Sequence, residues 1–271
     1  MPYSCKTLIK TDQELASREK RLSICLGADG FSFSETSTAG MLLTFGEVEG
    51  RHADTMTDVM RDVKTLFASI GIRPLGYASS ELIVLTDESV WVPDELYSSA
   101  NMRKYLKLMG AEPVTVMTCH SQALASTSVF AAAEHVVMAF KVTMPGVVVL
   151  NQHAKMAQLT PQSIGRMVLF THWRKGRVDV AAFNNGRYLY GNTLAFGNSD
   201  EAIYHVVDVM KSFNLESSAT EMLMCGDVDR DLFAHARPYF PRVTLFNGTA
   251  KQSANPEFQQ LHTYRHALIL M

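Results

Sequence analysis

A chain of 271 residues, 47% apolar and 19% charged, holds enough hydrophobic material for two packed cores, which excludes an intrinsically disordered protein. Its 25 Lys and Arg against 27 Asp and Glu leave a net charge of -2, which excludes a broad field for nucleic acid or an anionic membrane; any anion site has to be local. No apolar run approaches the ~20 residues that span a bilayer, and the opening stretch MPYSCKTLIKTDQELASREKR has no apolar segment behind its basic residues, so a cytoplasmic protein is expected.

The first elements are strands. Ser23 to Leu26 alternates toward Asp29-Gly30 and Phe31 to Ser34 alternates away, a hairpin signal; a third strand, Met41 to Phe45, follows. Asp54 opens a helix whose apolar residues Met56, Val59, Met60, Val63, Leu66, Phe67 and Ile70 recur at three- and four-residue spacing and which ends at Gly71. A strand, Leu82 to Leu85, and a helix, Pro93 to Leu108, come next. Residues 112 to 146 read as an inserted subdomain of two strands, Val114 to Thr118 and Leu124 to Phe130, with a helix through Ala133, Val136, Val137 and Phe140. The first half then closes with a strand, Val147 to Leu150, and a short helix, Gln152 to Leu159.

The second half repeats the order. Strands Val168 to Phe170, Val178 to Phe183 and Tyr188 to Phe196 are joined by turns at Arg174-Lys175-Gly176 and Asn184-Asn185-Gly186, and a helix follows carrying Ile203, Val206, Val207, Val209, Met210 and Phe213. The strand Met222 to Cys225, a helix from Asp231 to Tyr239, the strand Val243 to Phe246 and a last helix from Pro256 to Leu268 complete it. Two domains are expected, 1–162 and 163–271. Cys5, Cys25, Cys119 and Cys225 lie far apart with no CxxC pair, which reads as buried reduced thiols.

The stretch VLFTHWRKGRVDVAAFNNGRYLYGNTLAFGNSDEAIYHVVDVM resembles the opening of the second domain of the actin-like ATPase superfamily, and EMLMCGDVDRDLFAHARPYFPRVTLFN resembles its adenosine-motif strand, turn and helix. Within that superfamily the chain is most similar to the cell-division and type IV pilus assembly branch, and more narrowly to an uncharacterised bacterial family with an actin-like fold. The resemblance implies an α/β, duplicated, ribonuclease H-like architecture of two domains with a small inserted subdomain. It also implies where ATP and Mg would sit: on the two hairpin turns, through backbone N–H groups and carboxylates, and beside the glycine after the adenosine strand.

At these places the sequence departs from the superfamily pattern. Asp29 stands at the first turn itself beside Gly30, not two residues before its glycine. His172, Trp173, Arg174 and Lys175 precede Gly176 where an Asp-x-Gly-Gly element belongs, and Gly226 is followed by Asp227 where a second glycine belongs. No metal-positioning acid remains in the second turn; Asp29, Asp87, Asp179 or Asp227 would supply one only if the fold carries it to the cleft.

Each feature also has a plain structural reading. Asp29-Gly30 serves as a hairpin turn, His172 to Arg177 as a solvated turn around a packed Trp or as an anion or partner site, and Gly226 as a point of close chain passage. His262 and His266, at i and i+4, read as a solvated helix face since there is no HExxH, and His120 points away from Cys119 and Ser121 on a strand. There is no GxxxxGK[ST], GxGxxG or GxSxG. The expectation is a non-catalytic binding or scaffold protein with no cofactor and no metal, meeting a protein partner through its interdomain cleft or inserted subdomain. The alternative is a weak ATP-binding protein or phosphotransferase in which Arg174, Lys175 and Arg177 replace the backbone donors. Nucleic acid is disfavoured, because one short basic cluster makes few phosphate contacts.

Overall fold

The computed structural model describes residues 3–11, 16–111, 115–158, 167–216, 218–251 and 255–271. Val114 and Leu159 of the expected elements, and the expected domain boundary near residue 162, lie outside them.

The first sheet is built on strands β1 (Ser4–Lys10), β2 (Lys20–Gly27), β3 (Gly30–Ser37), β4 (Leu42–Glu49), β5 (Ser79–Val84) and, far along the chain, β9 (Val148–Asn151), in the order β1-β4-β3-β2-β5-β9. The antiparallel meander β2-β3-β4 is followed by helix α1 (Met56–Ile70), which carries the chain back so that β5 pairs parallel to β2. Thr55 caps α1 by accepting from the Asp58 N–H, and Gly71 closes it in the left-handed conformation. The spacing read from the sequence turns Val59, Val63, Leu66, Phe67 and Ile70 onto one buried face. β1 escapes sequence reading because SCKTLIK is mostly polar, and only Ile9 of the strand is buried.

The second sheet comprises β10 (Met167–Arg174), β11 (Arg177–Asn184), β12 (Arg187–Ala195), β13 (Thr220–Gly226) and β14 (Arg242–Leu245), ordered β12-β11-β10-β13-β14. With β1 set aside, this is the order and the orientation of the first sheet, strand for strand. Helices α5 (Ser199–Ser212) and α6 (Arg230–Ala236) cover one face, capped by Asn198 and Asp229.

The insertion keeps its two expected strands but begins earlier than expected, and it lacks the expected helix. β6 (Ser89–Pro93), β7 (Val116–Ser121) and β8 (Ser126–Ala131) form a separate three-stranded sheet, order β6-β8-β7, with the short helix α2 (Met102–Leu108) packed on Val92, Val129 and Ala111 through Leu106. Pro93 therefore ends an edge strand and does not open a long helix; proline suits either place, because both leave its missing N–H without a required partner. Helix α3 (Glu134–Thr143), read from the sequence as part of the insertion, instead packs against α1 in the main core: Val136, Val137, Ala139 and Phe140 are buried with Phe31, Phe67 and Val63.

Three further apolar groupings hold the molecule. One underlies the first sheet with α1 and α3, one underlies the second with α5 and α6, and one joins the two halves. In the joining core Phe45, Ile83 and Leu150 of the first half meet Phe170, Ala181 and Phe183 of the second, with Leu268, Ile269 and Leu270 from the chain's end. That end is not one helix: α7 (Pro256–Gln260) stops at Leu261, and a tight helical turn, Thr263–Leu270, follows, with His266 outside helical geometry. His262 and His266 thus do not share a helix face, and His266 is not solvated; its ring lies tilted against Phe45, centroids 4.5 Å apart, and it meets Glu47 at 3.4 Å.

Candidate functional site

Because β2 and β10 hold equivalent places in their sheets, their hairpin turns meet at the junction of the halves. Asp29, Gly30, His172, Trp173, Arg174, Gly226 and Asp227 line one cleft of about 360 Å³, and an adjoining cavity of about 750 Å³ adds Thr86, Asp87 and Lys175. The structure thus brings the sequence-derived residues to one junction, while Gly176, at φ 66°, shapes its turn.

Their chemistry differs from what the hairpin motifs suggested. The first turn is Ala28-Asp29, with Gly27 paired to Gly30, so Gly30 belongs to the strand and is needed there because a Cβ would meet the Val48 carbonyl oxygen at 2.0 Å. The Asp29 carbonyl accepts from the Gly50 N–H, and its carboxylate makes no ion pair with Arg174 or Lys175 among the described residues. Gly226 takes φ 86° and passes so close to β10 that a Cβ would lie 2.2 Å from the Trp173 carbonyl oxygen, which is the close-passage reading of that glycine. The next N–H, that of Asp227, donates to the same carbonyl at 2.8 Å. Phe31 and Trp173 lie in the separate cores of the two halves.

The cleft is organised around an acid that no motif marked. Asp179 on β11 is fully buried. Arg174 grips it with two arms, Nε to Oδ2 and Nη2 to Oδ1, each at 2.9 Å; His172 Nδ1 lies 2.9 Å from Oδ2. Thr193 on β12 donates its hydroxyl at 2.6 Å, and Gln152 donates its amide at 3.1 Å. Burial by itself raises the Asp179 pKa, but the hydrogen bonds and positive charge of His172 and Arg174 outweigh it and hold the carboxylate ionised far below its usual range. Arg174 Nη2 also reaches Asp87 of the first half at 3.1 Å, and Arg177 Nε meets Asp87 at 2.7 Å. The charged bridge between the halves is thus made by Asp87, not Asp29.

Helix α4 (Gln152–Ala157), which follows β9, supplies the centre of the junction. The Gln152 amide clamps the Thr86 backbone in the first half, accepting from its N–H at 3.1 Å and donating to its carbonyl, while also reaching Asp179 and Thr193 in the second. His153 beside it is buried and meets the Thr193 hydroxyl at 3.0 Å. Burial holds its pKa down to about 4; Asp179 pulls the other way without prevailing. Only Asp179 carried a legible signal, as a charge inside the apolar run Val178 to Phe183. Nothing marked Gln152 or Thr193, whose roles depend on which strand ends meet.

All four cysteines are free thiols, but only Cys225 is fully buried. His120 is exposed and pairs with Asp94 at 2.9 Å. Among the described residues, no cluster of three or more His, Cys, Asp or Glu is arranged to hold a metal ion, and no helix is long and apolar enough to cross a membrane.

With this geometry stand the likenesses to known proteins. The family model described as "Protein of unknown function (DUF3822)" matches residues 10–243. The chain belongs to the DUF3822 family. A protein of Bacteroides thetaiotaomicron described as having an actin-like ATPase fold and unknown function is similar at 17% identity and TM-score 0.68, over 85% of this chain and 92% of that one. PilM in the PilM–PilN type IV pilus biogenesis complex is similar at 10% identity and TM-score 0.51, over 93% of this chain and 97% of that one. No curated protein matches. The DUF3822 chain thus has the actin-like ATPase fold anticipated from its sequence.

Proposed function

We propose that this DUF3822 protein is a pseudo-ATPase: a non-catalytic actin-fold protein that binds a protein partner, with its own side chains in the place of a bound Mg-nucleotide. The observation that carries this reading is the saturated Asp179. A carboxylate that positions Mg²⁺ needs free lone pairs, and this one accepts from Arg174 twice, from Thr193 and from Gln152, with His172 Nδ1 also at hydrogen-bond distance. A phosphate also needs backbone donors aimed into the cleft, and the Asp227 N–H is turned back onto Trp173. These residues do not fit ATP and Mg. Partner binding accords with one similar structure being of PilM in complex with PilN.

A second reading, weak ATP binding through basic side chains, draws support from Lys175, which is exposed beside Arg174 in the larger cavity and makes no ion pair among the described residues. Thermal unfolding with ATP, ADP or GTP, each with Mg²⁺, separates the two. At 100 times its Kd a ligand adds about 2.7 kcal/mol of stability, so 10 mM nucleotide reveals any Kd near 0.1 mM. The expected result is no rise in Tm. A rise that Lys175→Ala abolishes would overturn the pseudo-ATPase reading in favour of the second.

A further inference from the structure

Away from the cleft, two sheets end side by side. β6 is the outer strand of the inserted sheet and β12 the outer strand of the second large sheet. They meet at one point, where the Trp91 indole N–H donates to the Tyr188 hydroxyl at 3.0 Å with the rings edge to face. Around that contact opens a groove of about 530 Å³ lined by Val90 and Trp91 of β6, Leu124, and Tyr188, Leu189 and Tyr190 of β12. Three consecutive strand residues do not ordinarily face one side. Here the β11–β12 register pairs Ala182 with Tyr190 and Phe183 with Tyr188, so Leu189 is the extra residue of a bulge that breaks the alternation at this edge, with Tyr188 packed on Phe183 and Tyr190 on Phe213.

Among the described lining residues the single charged side chain is Arg187. Met109, also in the lining and more than half exposed, follows α2, whose sequence MRKYLKL holds Arg103, Lys104 and Lys107 and no acid. A largely neutral, aromatic floor with Arg187 at its edge complements apolar residues carried with a carboxylate. Edge strands present backbone donors and acceptors that an extended chain can satisfy, while the bulge on β12 works against edge-to-edge association of two copies.

We propose that this groove docks an extended, acidic and apolar segment of a partner protein. This deepens the partner-binding role proposed above and rests on it. Tyr188 and Trp91 supply the apolar contact, and the exposed Arg187 in the lining selects for a carboxylate. The segment would touch the insertion and the second half of the chain at once, coupling the two through the Trp91–Tyr188 contact.

The test selects twelve-residue peptides from a random display library against the full chain and titrates the winners into ¹⁵N-labelled protein. Expected are a consensus of apolar residues with Asp or Glu, and shifts at the Trp91 indole N–H and the Tyr188 to Asn192 amides. Arg187→Glu, at an exposed position, should weaken binding at least tenfold, and Leu124→Glu should abolish it with the Tm retained. Failure to select any binder, a consensus rich in Lys and Arg, or binding indifferent to Arg187→Glu would each overturn the proposal. Shifts centred on Asp29 and Lys175 would reject the groove while leaving partner binding in place, whereas the pseudo-ATPase reading stands or falls separately on the nucleotide titration.

Discussion

A fully buried carboxylate survives only where donors surround it, since isolating it would cost several kcal/mol, and Asp179 has them on every side. Its neighbour His153 shows the opposite solution, since with 1% exposure it stays neutral. The consequence is a pH dependence with a defined sign. The unfolded chain binds a proton at His153 below about pH 6.5, whereas the folded chain does so only near pH 4. Stability from this group is therefore complete above about pH 6.5 and is lost as pH falls toward 4, by about 3 kcal/mol in all. Asp179, with its pKa depressed, acts in a lower window: its contribution is present above the ordinary carboxylate value and fades beneath it. Urea unfolding of His153→Gln between pH 4 and 7 should show a clearly shallower slope than the parent; His266, also held neutral by burial, leaves some slope behind. An unchanged slope would remove His153 from the account.

Among the elements, α3 is where periodicity alone misleads. Its buried residues, Val136, Val137, Ala139 and Phe140, show that it is apolar, but not which neighbour it covers. Its true partner is α1, distant in sequence: Phe140 meets Phe31 edge to face at 5.4 Å in the main core. Phe140→Ala should accordingly cost about 3 to 5 kcal/mol of global stability, the price of a large aromatic cavity, while the half-exposed Val142→Ala stays within about 0.5 kcal/mol. Hydrogen exchange offers the check: opening should speed throughout β2, β3 and α1 in the Phe140 variant, not in β6 to β8 alone. The opposite pattern would return α3 to the insertion. Pro93 is a second case, since the same residue suits an edge strand and a helix start, and only its pairing with Ser126 decides.

For the molecule as a whole, the question is what keeps the two halves together. The ion pairs of Asp87 with Arg174 and Arg177 are the visible bridge, yet the Asp87 side chain is 45% exposed, and pairs of that kind contribute about 0 to 1 kcal/mol. The Gln152 clamp is buried, and removing it strands the Thr86 N–H and leaves its carbonyl only the long contacts from Arg174 and Thr193, at about 1 to 3 kcal/mol. Gln152→Ala should therefore lower the urea midpoint more than Asp87→Ala does; the reverse order would place closure in the exposed charges. Beneath both lies the joining core of Phe45, Phe170, Phe183 and Leu268. Much of the strand and helix order of each half, though not β1, β6 or the break after α7, was legible because each element is a local pattern: alternation toward a turn, or three- and four-residue spacing ended by a glycine, is imposed by backbone geometry within a dozen residues. The gathering of Asp29, Arg174 and Asp227 at one cleft followed from that repeated order. What charges do there did not follow. Asp29 and Asp87 are equally acidic in sequence, and only the sheet packing brings Asp87 to Arg174 and Arg177 and leaves Asp29 without them. The grip of His172 and Arg174 on Asp179 is local to one hairpin, whereas Gln152, its hold on Thr86 and the groove between β6 and β12 come from parts far apart in the chain, where tertiary packing, not local spacing, chooses each polar group's partner.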